Sequence, residues 1–227
     1  MSERIEIDGI SVAVRRNARA RRMTLRVPRA GGEVVLTLPP RASLASGRDF
    51  AVSKSDWLRR TVAAMPGPQL VGDGVTIPVA GQQVVLRALP VRMVTLADGV
   101  LAVPQGKAIG PTVQAWLKHR AHAALRESVD RHTANLGRKA RALTLRDTRS
   151  RWGSCTSDGR LMFSWRLAMA PYGVLDYVAA HEVAHLAHMD HSPRFWAQVE
   201  ALMPGHAQYR AWLRANGAEL QAWRFKD

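Results

Sequence analysis

Residues 181–185 read His-Glu-Val-Ala-His, and this pair of imidazoles four positions apart constrains the chain more tightly than any other feature. On an α-helix, positions i and i+4 lie on one face, one turn apart. His181 and His185 then present two rings to a single point. Val174, Tyr177 and Val178 fall on the same face, so the pair extends an apolar stripe toward an interior. Pro171 stands where such a helix would start.

Two imidazoles converging in this way are what one zinc ion requires. Glu182 projects beside them and can take a proton from water activated by the metal. A catalytic zinc needs a third protein ligand and an open position. His188 and His191 compete for that role. His188 continues the helical stripe, but seven residues of helix place it ~10 Å along the axis from His181. Zinc–nitrogen bonds near ~2 Å do not bridge such a span. His191 follows Met189-Asp190, where the chain can leave the helix and turn back, so the third ligand is expected at His191. Cys155 is the alternative thiolate ligand, with a small buried thiol as its ordinary role. For a second electrophile against a developing oxyanion, the chain offers His188, His206, Tyr209 and Arg166, and spacing does not choose among them.

The pattern along the chain predicts an α+β protein: a β-rich N-terminal region with one helix over residues 1–105, then a mainly helical domain over 106–227. Ile5, Ile7, Val12 and Val14 alternate around an Asp8-Gly9 turn signal. Residues 23–27 and 34–38 flank Gly31-Gly32 as a hairpin. Ser43 to Ala64 reads as a helix, with Phe50, Trp57, Leu58 and Val62 as core positions, stopped by Pro66-Gly67-Pro68. Short strands are expected at 75–79, 84–89, 93–96 and 100–103. Pro111 opens a long helix that Gly137 ends. A basic connector, 138–151, leads to a strand at 161–169. Ser192-Pro193 caps a further helix through Leu202, and a last helix ends near Gly217.

Composition sets the outer limits. The apolar share is 47% and Cys155 is the one cysteine, so the core stands without disulfides and a reducing, cytoplasmic setting is expected. No signal peptide or membrane-spanning run is read. The net charge is +15. Residues 1–60 and 61–159 each carry +7, whereas 160–227 carry +1. The segment with the paired histidines is nearly neutral, and the excess before it would suit nucleic acid, nucleotides or acidic proteins, or be a solvated surface. Residues 15–29 hold seven arginines and no acid, without the interleaved aromatics of a single-strand binder.

Several runs resemble the YgjP-like metallopeptidase family. They are Arg151-Trp-Gly-Ser-Cys155, Trp165-Arg-Leu167, Pro171, Leu175-Asp-Tyr-Val178, His181-Glu-Val-Ala-His-Leu186, His191-Ser-Pro-Arg-Phe-Trp196 and Met203-Pro204. Upstream, Arg21-Arg22-Met-Thr-Leu-Arg-Val27, Leu38-Pro39-Pro40 and Trp57 resemble that family's leader, so the likeness spans nearly the whole chain. It implies a minimal zincin fold related to SprT and WLM proteases, with a third His ten residues after the first, which is His191 here. It also implies that the strand before the active helix, 161–169, pairs with an extended substrate. Ser164 stands where the family usually carries Asn, which alters any polar contact with substrate there. Gly is absent at His188, so the metzincin subclass fits poorly.

Three functions follow as expectations. The first is a zinc metallopeptidase acting on peptide or protein, with Glu182 as base. The second, implied by the resemblance, is a metal-dependent pyrophosphohydrolase of nucleoside triphosphates of the UTP type, which the missing phosphate-binding loop weakens. The third is a nucleic-acid-associated protein with a structural metal site. Glu182 would have no purpose in that third case.

Overall fold

The computed structural model describes residues 3–28, 32–148 and 150–226. The chain divides into two compact units, Met1–Gly67 and Pro68–Asp227.

The first unit is a four-stranded sheet with two helices. Strands β1 (Arg4–Ile7) and β2 (Ile10–Arg16) form a hairpin over Asp8 and Gly9, both at positive φ, the geometry a two-residue turn of this kind demands. Strands β3 (Thr24–Arg26) and β4 (Val34–Leu38) pair antiparallel, and β4 also lies parallel to β2, giving the order β1-β2-β4-β3. Of the glycine pair expected to turn that hairpin, Gly31 lies outside the described residues. Ile7, Val12, Val14, Val34, Leu36 and Leu38 pack with Ala51 and Leu58 in one core. The single helix expected from Ser43 to Ala64 is two: α1 (Leu44–Val52), capped by Ser43, and α2 (Ser55–Ala63). Ser53 and Lys54 break the ladder between them. Leu58 is fully buried but Trp57 is 42% exposed, since it falls on the solvent side of the shorter α2. Arg15, Arg19, Arg21, Arg22 and Arg26 are exposed, and Arg16 bonds the carbonyls of Pro40 and Ala42.

The second unit holds the histidine helix. Strands β6 (Thr76–Val79), β7 (Gln82–Leu89), β8 (Thr95–Ala97) and β9 (Val100–Pro104) form a sheet in the order β6-β7-β9-β8. Their apolar residues share one core with the helices that follow, so the division falls at Gly67 and Pro68 instead of near residue 105. A two-residue strand, β5 (Gln69–Leu70), pairs with β13 (Trp223–Arg224) at the other end of the chain.

The long helix α3 (Ile109–Leu136) ends at Gly137, whose φ is 69°. Val113, Leu117, Ala121, Leu125 and Val129 recur every four residues and are buried, forming the stripe on which the rest of the unit packs. Strand β10 (Ala142–Arg146), inside the connector read as irregular, lies parallel to β12 (Arg160–Ser164), and β11 (Gly153–Cys155) lies antiparallel on the other side. The strand expected through Met169 stops at Ser164 and becomes a 3-10 helix, Trp165–Met169. Helices α4 (Tyr172–Ala184), α5 (Pro193–Leu202) and α6 (Ala207–Ala222) follow. The last runs through Gly217 because that glycine is buried against the Trp152 ring, where an added Cβ would lie 3.1 Å from the indole. Among the described residues no helix is long and apolar enough to cross a membrane.

A polar clamp joins α4 to α3. Asp176 accepts from Arg131 and from His132, whose Nε2 is 2.7 Å away, while Tyr172 meets Ser128 and Arg131. Burial pushes the Asp176 carboxyl up, but the His132 hydrogen bond and the charges of His132 and Arg131 outweigh it, so the carboxyl sits below its ordinary range. A carboxyl depressed on folding stabilises above its unfolded pKa and loses that contribution as pH falls through its folded value. Asp176→Ala should therefore lower stability by about 1.5–3 kcal/mol at neutral pH, read as a denaturant midpoint. The gap to wild type should shrink as acid protonates Asp176, and a gap that persists at low pH would show that the charge is not its source.

Candidate metal centre

Helix α4 is buried on nearly every side: Val174, Leu175, Tyr177, Val178, Ala179, Ala180, Val183 and Ala184 are all inside. The expected single stripe is therefore only part of its packing, and the helix is the centre of the unit. Its last turn carries His181 and Glu182, and His185 is its C-cap with near-helical backbone, φ −64° and ψ −19°. The chain then leaves the helix and returns through His191. Ser192 fixes that return, because its hydroxyl accepts from the Phe195 amide at the start of α5 while its own amide donates to Asp190.

The ligand nitrogens of His181, His185 and His191 all lie within 4.8 Å of one another. Nε2 of His181 and Nε2 of His191 are 3.3 Å apart, close to the ~3.3 Å that separates two nitrogens on one tetrahedral zinc with ~2 Å bonds. Nδ1 of His185 is 2.9 Å from the His188 carbonyl. That acceptor requires the proton on Nδ1, leaving the Nε2 lone pair free for a metal. His188 thus contributes its backbone, while its ring stands outside the cluster. The donor set fits a zinc-sized cation.

Phe195 is the floor of the site. Its ring centroid is 4.9, 4.4 and 4.8 Å from those of His181, His185 and His191. Trp196 and Tyr177 close the side of His181. Burial, then the neighbouring His185 and His191, push the His181 pKa down to about 3, and His185 is shifted the same way by burial first. Neutral imidazole is the form that ligates. Burial likewise pushes the Glu182 carboxyl up to about 8, with Arg151 pulling in the other direction. A metal cation beside it would favour the ionised form.

Strand β11 forms the other wall. The cavity of about 260 Å³ is lined by Arg151, Gly153, Ser154, Cys155, His181, Glu182, His185, Met189 and His191. Gly153 is in contact with Glu182: a Cβ there would lie 2.5 Å from Oε1. The strand lining the cleft is therefore β11, the outer strand in the order β10-β12-β11, while β12 is paired on both sides and has no free edge for a substrate. Cys155 lines the cavity, but burial pushes its thiol up to about 11 and it stands outside the three-histidine cluster.

The remaining expected substrate contacts are placed elsewhere. Arg166 is buried, bonded to Asp147 through Nε at 2.7 Å and to the carbonyls of Leu220 and Trp223 at 2.9 and 3.0 Å, so it clamps the C-terminal segment. Ser164 is fully buried, with its hydroxyl unpartnered among the described residues. His206 is stacked between Tyr177 and Trp196, and Tyr209 packs its ring on Gly173. Spacing alone missed Phe195, Gly153, Arg151 and Met189. The first three lie in runs quoted above for the family likeness, but only the fold assigns them a place.

Two imidazoles and a carboxyl at the end of a buried helix, met by a third imidazole from the chain's return and flanked by a strand, define a metal-dependent hydrolase type of centre. The family model for the YgjP-like metallopeptidase domain matches residues 21–216, and the chain belongs to the YgjP-like family of metal-dependent peptidases. Among solved structures, the chain is similar to the metallopeptidase zymogen abylysin of Pyrococcus abyssi, at 18% identity and a TM-score of 0.38, over 40% of this chain and 93% of that one. No curated protein sequence matches it.

Proposed function

We propose that the protein is a zinc peptidase in which His181, His185 and His191 hold the metal and Glu182 is the general base. The observation that carries this reading is the convergence of three imidazoles and one buried carboxyl in a cleft walled by β11, an outer strand of its sheet. When bound, zinc supplies the Lewis acidity that makes water nucleophilic at neutral pH. Glu182 takes the proton from that water and returns it to the leaving amine. An extended peptide pairs along Gly153–Cys155, which presents backbone groups without a side chain at its first residue. Phe195 packs against all three histidine rings and holds them in place for the metal.

Chelation tests the reading. Stripping the metal should abolish hydrolysis of an unfolded protein, and stoichiometric zinc should restore it. A parallel assay on nucleoside triphosphates separates the pyrophosphohydrolase reading. Hydrolysis of a triphosphate with no cleavage of peptide would replace the substrate while keeping the metal, and activity that survives chelation would remove the metal from the mechanism.

A further inference from the structure

An oxyanion develops when water adds to a carbonyl, and an electrophile placed beside it contributes strongly to catalysis. All four residues expected on sequence to supply one are placed elsewhere. Arg166 is closed off by Asp147 and two backbone carbonyls, His206 and Tyr209 are packing rings, and His188 does not line the cavity.

Arg151 does. It borders the same cavity as Glu182 and the three histidines, and its charge acts on the Glu182 carboxylate. The backbone on its C-terminal side is pinned. Its carbonyl accepts from the Thr148 hydroxyl at 2.7 Å, and the next carbonyl, of Trp152, accepts from the Ser164 amide at 2.8 Å. The Trp152 ring is wedged against Gly217. By contrast, the Arg151 side chain is exposed, with no hydrogen bond or ion pair among the described residues. A cationic head without a fixed partner, on backbone held beside a cleft of three imidazoles and one carboxyl, is an arrangement for receiving an anion, and a guanidinium offers the forked donors that suit one.

We propose that Arg151 is a catalytic residue that donates to the oxyanion of the scissile carbonyl, a role that rests on the hydrolase reading above. As the water oxygen bonds to the carbonyl carbon, the C=O π pair moves onto the carbonyl oxygen and the water proton moves to Glu182. Arg151 hydrogen-bonds the resulting oxyanion. The pair then returns, the C–N bond breaks, and Glu182 delivers its proton to the departing amine.

The test compares Arg151→Gln and Arg151→Lys with wild type, all zinc-loaded, on one peptide substrate. Arg151→Gln should lower kcat by about 10²–10³-fold with KM little changed, and Arg151→Lys should recover part of the loss. Zinc content and thermal midpoint should match wild type, since the side chain is exposed. A second readout needs no turnover. By calorimetry, a phosphinic peptide, whose tetrahedral anion resembles the adduct, should bind Arg151→Gln about 10²-fold more weakly. The unmodified peptide on a Glu182→Gln background should lose no affinity from the same change. Equal weakening of both ligands would make Arg151 a ground-state anchor and overturn the proposal, as would an unchanged kcat in Arg151→Gln. A wild type that cleaves no peptide overturns the peptidase reading itself, which is distinguishable from active wild type with a silent Arg151.

Discussion

Glu182→Gln should keep its zinc and lose about 10²–10⁴-fold in kcat, the range that a positioned general base supplies. The substitution changes one atom and preserves shape, so the packing around a 5% exposed side chain is retained. Glutamine cannot accept the water proton, and among the described residues lining the cavity no other carboxylate is present to take over. The ligands are untouched, so metal content should match wild type by atomic absorption. Gly153→Ala reaches the same carboxylate from the strand side. Its Cβ would lie 2.5 Å from Oε1 and 2.6 Å from Cγ of Glu182, so either the strand or the carboxylate must move, and kcat should fall with zinc retained. Full turnover by Glu182→Gln would remove it from the mechanism.

Elements set by local signals and elements set by distant pairing differ in how far the sequence reveals them. Where a single local signal decides, sequence and structure agree. Asp8-Gly9, the Gly137 stop and the Ser192-Pro193 cap each act within a few residues, and each stands as expected. Helix α6 shows the limit, because Gly217 carries a stop signal that packing on Trp152 overrides. Strand β10 was hidden in the basic connector because a run as short as Ala142–Arg146 becomes a strand only when β12 lies parallel alongside, a pairing eighteen residues distant. Of the cluster, His181, Glu182 and His185 were legible because helical spacing is a local rule, and His191 because the chain can turn back after Met189-Asp190. Arg166 was misjudged because an arginine beside a motif looks like a substrate contact until the carbonyls of Leu220 and Trp223 are seen to hold it. Phe195, Gly153 and Arg151 reach the cluster only through the return of α5 and the pairing of β11. The described arginines of the first unit are all exposed, as the charge arithmetic left them.

His191→Ala should release zinc while His188→Ala holds it, and the contrast follows from which part of each residue is used. His191 reaches the cluster through its ring, with Nε2 3.3 Å from Nε2 of His181, and alanine removes that nitrogen outright. Affinity should fall by more than the ~10–100-fold that loss of a supporting outer partner costs. His188 acts through its carbonyl, which orients His185 by accepting from Nδ1, and alanine keeps that carbonyl. Its ring stands outside the three-histidine cluster and does not line the cavity. The loop has its own reasons for staying in place: Asp190 and Ser192 bond each other's neighbourhood and start α5, so deleting the His191 ring leaves the return path intact. Competition against a coloured chelator measures the affinities directly. Zinc should also raise the thermal midpoint of wild type and His188→Ala, because a ligand bound only to the folded state stabilises it by about 2.7 kcal/mol at a hundredfold excess over Kd. That rise should vanish in His191→Ala at the same zinc concentration. Zinc retained by His191→Ala and lost by His188→Ala would mean that the third ligand lies along the helix after all.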